Sequence, residues 1–154
     1  LVCIEIYGYD EPKAKEYAES WGVFMQLINI IRDVSEDAQR DRIYLPMEDL
    51  ARWGISEDDI KSGGDLLNHP GWSPFVKEYL ERADGYRQRA FKLFSHLDKS
   101  ARYSPAAMAS FYQSIMTKIS KKNGDVFTER IQLSKTEKIL LAGYVYVRYR
   151  FFGF

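Results

Sequence analysis

The stretch from Ser20 to Pro46, SWGVFMQLINIIRDVSEDAQRDRIYLP, constrains this chain more than any other. Ser20 to Ile31 is uncharged, and its apolar run is broken by the amides of Gln26 and Asn29. Charge then arrives together, as Arg32, Asp33, Glu36, Asp37, Arg40, Asp41 and Arg42. On a helix each residue turns by about 100°, so positions three, four and seven apart share a face. Gly22, Gln26, Asn29, Asp33 and Asp37 therefore fall on one narrow stripe. Val23, Leu27, Ile30, Ile31 and Val34 fall on the neighbouring and opposite faces, with Phe24 and Ile28 behind them. Asp33 and Asp37 are one turn apart, which sets their Cβ atoms about 6 Å from each other. Two like charges so placed oppose the helix unless something positive lies between them. Hard cations such as Mg²⁺ take oxygen ligands and bind through one or two carboxylates plus waters and substrate phosphates. The Asn29 amide oxygen, one turn earlier, extends that set. The plainer alternative is an amphipathic helix whose acidic stripe is solvated. Against it, the stripe continues through Gln26 and Gly22 into an uncharged run, where a solvated face would carry Lys and Glu.

The rest of the chain supports one helical body around this segment. Its 154 residues are 45% hydrophobic and 29% charged, enough for one globular domain with a real core. Lys plus Arg equals Asp plus Glu at 22 each, so bulk charge gives no pull towards nucleic acid. Cys3 is the single cysteine, which excludes an intrachain disulfide and suits a reducing compartment. No apolar run approaches the roughly 20 residues of a membrane-spanning helix. The chain opens as LVCIEIYGYD, without Met and already in apolar register, so a longer polypeptide is expected.

Start and stop signals divide the sequence into helices. Residues 1–8 read as the end of a helix or a short strand. Asp10 as cap and Pro12 in the first turn begin a helix expected from about Glu11 to near Arg40. Pro46 starts a short helix that Gly54 ends. Ser56-Glu57-Asp58-Asp59 resembles a capping box for another, stopping at Gly63-Gly64, and Asn68 to Gly71 reads as turn. Ser73-Pro74 opens a helix expected through about Leu97. Ser104-Pro105 opens the next, ended by Gly124, and Ser134-Lys135-Thr136-Glu137 caps a last helix into Tyr149. The fold class is all-α, although Tyr144 to Phe151 also reads as a strand in isolation.

The residues QLINIIRDVSEDAQRDRIYLP resemble the second aspartate-rich motif of the squalene/phytoene synthase family. That motif runs Gln-Leu-x-Asn-Ile-x-Arg-Asp-Val-x-Glu-Asp and is followed by an Arg-x-Tyr-Leu-Pro tail. LVCIEIYGY resembles the segment before the motif helix. SFYQSIMTKISKKNGDVFTERIQLSK resembles the family's C-terminal helix and the basic turn after it. The resemblance covers nearly the whole chain. It implies that residues 1–154 are the C-terminal portion of a single domain, an isoprenoid-synthase-type helical bundle. The family's earlier aspartate-rich helix has no counterpart here, since the 32 residues before Asp33 hold no second Asp-x-x-x-Asp. By itself the chain carries half of a metal–diphosphate site, and the missing N-terminal half is an expected partner.

The resemblance implies a prenyltransferase that joins two allylic prenyl diphosphates, C15 or C20, head to head. A cyclopropyl diphosphate forms first, and the product is presqualene diphosphate, squalene or phytoene. Mg²⁺ is the implied cofactor, and NADPH enters only if the product is squalene. Residue by residue, Asp33 and Asp37 resemble the metal-binding, catalytic carboxylates, and Asn29 their neighbour at the metal. Gln26, Arg32, Tyr44 and Arg130 resemble contacts to the diphosphate, and Tyr112 a catalytic tyrosine near the reacting carbons. Plainer readings stay open: Arg32 as a partner of Glu36, Arg130 as a partner of Asp125 or Glu129, and Tyr112 as ordinary core. A non-catalytic assembly or scaffold protein of the same fold is the alternative function. The aromatic and basic mixture of Tyr144, Tyr146, Arg148, Arg150, Phe151 and Phe152 suits peripheral membrane contact, or packing against the missing helices. A cytoplasmic location, with membrane association through that helix, completes the expectations.

Overall fold

The computed structural model describes Glu5 and residues 12–152, with no β-strand among the described residues. The readings of residues 1–8 and of the Asp10 cap lie outside them, Glu5 excepted. The first helix, α1, spans Lys13–Ala38. Its buried seam is Trp21, Phe24, Ile28, Ile31 and Val34, spaced three or four apart as a single core-facing stripe requires. The helix ends where the backbone carbonyl of Asp37 accepts from the amides of Arg40 and Arg42, each at 2.9 Å. Asp41 then takes a left-handed φ of 57°, a conformation that Asp tolerates better than most residues.

Short elements follow. Helix α2, Met47–Arg52, starts after Pro46 and stops at Gly54, whose φ is 71°. Helix α3, Glu57–Ser62, has the expected capping box: the Ser56 amide donates to Asp59 Oδ2 at 2.8 Å, and the Asp59 amide to Ser56 Oγ at 3.2 Å. The α-helix stops at Gly63, whose φ is 72°, as the sequence suggested, but the chain does not become a loop there. It continues as a 3₁₀ helix over Gly63–Asn68, with Leu66 buried. Helix α4 runs Trp72–Ala90 and is shorter than expected. A separate turn, α5, covers Leu93–His96. Between them the amides of Lys92 and Phe94 bond three residues back, to Arg89 and Phe91. That tighter winding accompanies burial of Ala90, Leu93, Phe94 and Leu97, which an uninterrupted α-helix would distribute differently.

A 3₁₀ turn at Lys99–Ala101 leads into α6, Tyr103–Lys121. Gly124 has a φ of 81°, and a Cβ there would stand 2.7 Å from Val76 Cγ2, so glycine is required twice over. Its carbonyl accepts the Trp72 indole N–H at 3.0 Å. The last helix, α7, is Lys135–Phe152, opened by the Ser134–Glu137 capping box. Tyr144 to Phe151 is therefore helical. Val145 is its buried contact, while Ile139 and Phe151 are 71% and 73% exposed.

Packing divides the chain into two compact units. Unit 1 comprises Leu1–Met25, Asp84–Ser114 and Leu133–Phe154, and unit 2 comprises Gln26–Ala83 and Ile115–Gln132. Unit 1 is built around Ala14, Trp21, Leu93, Phe94, Leu97, Ala106 and Val145. Unit 2 has an aromatic ladder in which Trp72 lies 5.6 Å from Phe75 and 5.5 Å from Phe127, and Phe75 lies 5.7 Å from Tyr79. Large rings carry much apolar area each, so this ladder supplies a large share of the unit's hydrophobic stabilisation.

Candidate functional site

The second half of α1 carries Arg32, Asp33, Glu36 and Asp37 of the opening stretch, and all four belong to unit 2. Asn29, Asp33 and Asp37 are half-buried on one line, with Gln26 exposed one turn before them. Asn29 Oδ1 is buried without a hydrogen-bond partner. A buried acceptor left unpaired is costly and marks a place where another group is called for. Asp33 is the most heavily engaged carboxylate. Arg32 folds along the helix to reach it twice, Nε to Oδ1 at 2.8 Å and Nη2 to Oδ2 at 2.5 Å. Adjacent residues on a helix do not face each other, so only a side chain as long as Arg makes this contact.

A second guanidinium comes from far along the chain. Arg130 donates from Nη2 to Asp33 Oδ1 at 3.3 Å and pairs through Nη1 with Glu36 Oε1 at 3.1 Å. Asp33 and Glu36 are three apart on α1 and so present neighbouring carboxylates to one arginine. Arg130 is carried by a loop whose shape is locally fixed. Asp125 Oδ1 accepts the amides of Phe127 and Thr128 at 3.2 and 3.0 Å, and Val126 and Ile131 are buried on either side. Lys122 pairs with Glu129 across the same turn. The plainer partners for Arg130, Asp125 and Glu129, are thus otherwise occupied. Burial pushes the Asp33 carboxyl up, but the hydrogen bonds and charges of Arg32 and then Arg130 outweigh it and hold the group below the usual carboxylate range.

The other expected residues are placed less closely. Tyr44 stands 54% exposed on the connector after α1, without a hydrogen bond to the carboxylates among the described residues. Tyr112 belongs to unit 1, half-buried, its ring edge-on to Phe24 at 6.4 Å. Asp37 has no ion-pair partner among the described residues. The sequence pointed to Glu36 only as a plainer partner of Arg32, and the structure pairs it with Arg130. Its position three residues after Asp33, in a run of opposite charges, is the signal that points to it.

The donor set suits a hard cation as part of a larger coordination sphere. Asn29 offers an unpartnered oxygen, and Asp33 and Asp37 offer carboxylates on the same helix line. Among the described residues no group of three or more His, Cys, Asp or Glu is arranged to hold a metal. The guanidinium groups of Arg32 and Arg130 have the fork geometry that grips phosphate oxygens. A separate cavity of about 350 Å³ is lined by Ser35, Ala38, Gln39, Lys61, Phe127 and Thr128 among others. Helical spacing turns Ser35, Ala38 and Gln39 away from the Asp33–Asp37 line, so this cavity is not part of the carboxylate face.

Comparison with known proteins puts this arrangement in context. A family model described as squalene/phytoene synthase matches residues 1–137. Phytoene synthase 2, chloroplastic, of Zea mays is 37% identical over 155 residues, covering 96% of this chain and 38% of its own length. The 15-cis-phytoene synthase of a Synechocystis strain is 35% identical over 134 residues, covering 87% of this chain and 39% of its own. A crystal structure of a dehydrosqualene synthase in complex with ligand superposes with a TM-score of 0.72 at 26% identity. It covers 87% of this chain and 46% of that one. The chain thus spans less than half the length of each of these relatives. By the match to its motif helix and to most of its length, this chain belongs to the squalene/phytoene synthase family.

Proposed function

We propose that the carboxylate face of α1 is one wall of a metal–diphosphate site in a prenyltransferase that condenses two allylic prenyl diphosphates head to head. The observation that carries this reading is the convergence of Arg32 and Arg130 on Asp33, beside an unpartnered Asn29 oxygen. Asn29, Asp33 and Asp37 would hold Mg²⁺. When bound, Mg²⁺ supplies the positive charge that stabilises the departing diphosphate. Arg32 and Arg130 bind diphosphate oxygens and offset the charge that develops as the allylic carbon–oxygen bond breaks. Gln26 and Tyr44 donate hydrogen bonds to the same group. Tyr112 acts at the reacting carbons, where an aromatic face stabilises positive charge without a strong base that would quench it.

Relatives named phytoene synthase favour the C20 pair and phytoene as product, a reaction without NADPH. No helix among the described residues is long and apolar enough to cross a membrane. Contact with lipid at the exposed face of α7 is therefore proposed as peripheral. A scaffold role is the alternative, favoured by one observation: a carboxylate held by two guanidinium groups is also a structural joint. Product analysis of the intact protein with C15 and C20 diphosphates and Mg²⁺ decides between these readings. A C40 hydrocarbon is expected. No product from either substrate, together with no Mg²⁺-dependent thermal stabilisation by a prenyl diphosphate analogue, supports the scaffold instead.

A further inference from the structure

Arg130 is bound to two carboxylates through two different nitrogens, and the two bonds are not equivalent. The contact to Glu36 is an ion pair at 3.1 Å, and that to Asp33 is a hydrogen bond at 3.3 Å. Asp33 is already chelated by Arg32, so it does not depend on Arg130 for charge compensation. The loop that carries Arg130 is anchored through buried Val126 and Ile131, through the turn at Asp125, and by the Lys118 ammonium on the Gln132 carbonyl at 3.0 Å. The guanidinium itself is on a side chain 52% exposed, and Glu36 is 37% exposed. The loop around residue 130 is anchored, and its partly exposed guanidinium bridges two carboxylates that stand one turn apart on α1.

From this the geometry points to Glu36 as a positioning residue. It keeps Arg130 at the carboxylate face when Asp33 gives up its guanidinium for a cation. The inference rests on the metal–diphosphate reading above and adds a residue to which that reading gives no role. A cation on Asp33 repels Arg130. With Glu36 present, the guanidinium swings only as far as the neighbouring carboxylate and stays within reach of an anion bound to that cation. With Glu36 neutral, it has no reason to remain, and a diphosphate loses one charged donor. Hydrogen bonds between charged groups are the strong ones, so the affinity lost is on the order of tenfold or more.

The test is calorimetric titration of inorganic pyrophosphate into the intact protein in Mg²⁺, for wild type, Glu36→Gln, Glu36→Asp, Arg130→Ala and the Glu36→Gln/Arg130→Ala double variant. Glu36→Gln is expected to weaken binding about tenfold, and Glu36→Asp, which keeps the charge, by no more than about threefold. The double variant should match Arg130→Ala alone, because Glu36 acts only through Arg130. Independent, additive losses, or unchanged affinity in Glu36→Gln, overturn the inference. Should Glu36→Gln fail to fold, Glu36→Asp decides in its place: near wild-type binding supports the inference, and a loss as large as that of Arg130→Ala overturns it. Wild-type protein that binds no pyrophosphate in Mg²⁺ rejects the metal–diphosphate reading itself, a result distinct from any difference among variants.

Discussion

Two groups of arginine–carboxylate contacts lie in unit 2 and use their charge differently. Between α2 and α4, Arg52 Nη2 bonds Asp49 and Glu78 at 2.8 Å each, and Arg82 Nη1 meets Asp49 at 2.7 Å. The Trp53 indole N–H donates to Glu78 Oε2 at 3.2 Å. Both carboxylates there have several donors, and Arg82 and Glu78 are one turn apart on the same helix. On α1, Asp33, Glu36 and Asp37 crowd into five residues and draw in an arginine from position 130, while Asn29 Oδ1 is unpaired. Coulombic attraction is present in both. What separates them is the balance of charge: carboxylates that each meet arginine donors from both elements join two helices, whereas excess oxygen on one face invites a ligand that carries positive charge.

Removing one carboxylate from each group should separate these roles most sharply. Asp33→Asn in the intact protein is expected to lower turnover by on the order of 10²-fold or more, as loss of a charge-stabilising group at a reaction centre does. Its circular dichroism spectrum should stay that of the wild type. Asp49→Asn, and Asp58→Asn on the exposed face of α3, should leave turnover unchanged. Steady-state assays on the three variants check this, and full activity in Asp33→Asn would remove the carboxylate face from the chemistry.

The unpaired amide gives an effect of opposite sign on stability and binding. Asn29→Leu replaces a buried unsatisfied oxygen by carbon of similar volume, so the variant should be as stable as wild type or more stable, by about 1–3 kcal/mol. Mg²⁺-dependent stabilisation by pyrophosphate should fall in the same variant. Denaturant titrations with and without both ligands measure the two effects. A destabilised Asn29→Leu would mean that the oxygen has a structural partner after all.

The smallest effect belongs to the α2–α4 network. Its arginines are partly exposed, so Asp49→Asn should cost about 1 kcal/mol or less at neutral pH. The hydrogen bond from Arg82, working against burial and joined by Arg52, holds the Asp49 carboxyl below its ordinary value of 3.8. A depressed folded pKa means that the contribution is complete above pH 3.8 and disappears as the pH falls through the lower folded value. Wild type and Asp49→Asn should therefore differ above that pH and converge below it in urea titrations. A gap that persists in acid would assign the loss to packing.

The features legible in the sequence were those decided within a few residues. The capping boxes at Ser56 and Ser134 need only a hydroxyl and a carboxylate three positions apart, and both formed. The glycine stops at Gly54 and Gly124 follow from their tolerance of left-handed backbone. The break at Ala90 was not legible, because Phe91, Leu93 and Phe94 continue a helical apolar pattern. It depends on which of those side chains the core of unit 1 admits. The 3₁₀ helix after Gly63 likewise depends on a buried seat for Leu66.

The motif helix shows where the division falls. The sequence alone determined that Asn29, Asp33 and Asp37 share a line, since helical periodicity allows nothing else, and its twenty or so motif positions were enough to indicate the family. Apart from the adjacent Arg32 on Asp33, the surroundings of those groups were decided only by tertiary structure. Arg130 reaches Asp33 and Glu36 because Gly124, Trp72 and the Asp125 turn direct its loop, and the Asn29 oxygen is unpaired because its surroundings buried it without a donor. Periodicity is a property of neighbouring residues. Pairing across 97 positions, by contrast, is a property of packing.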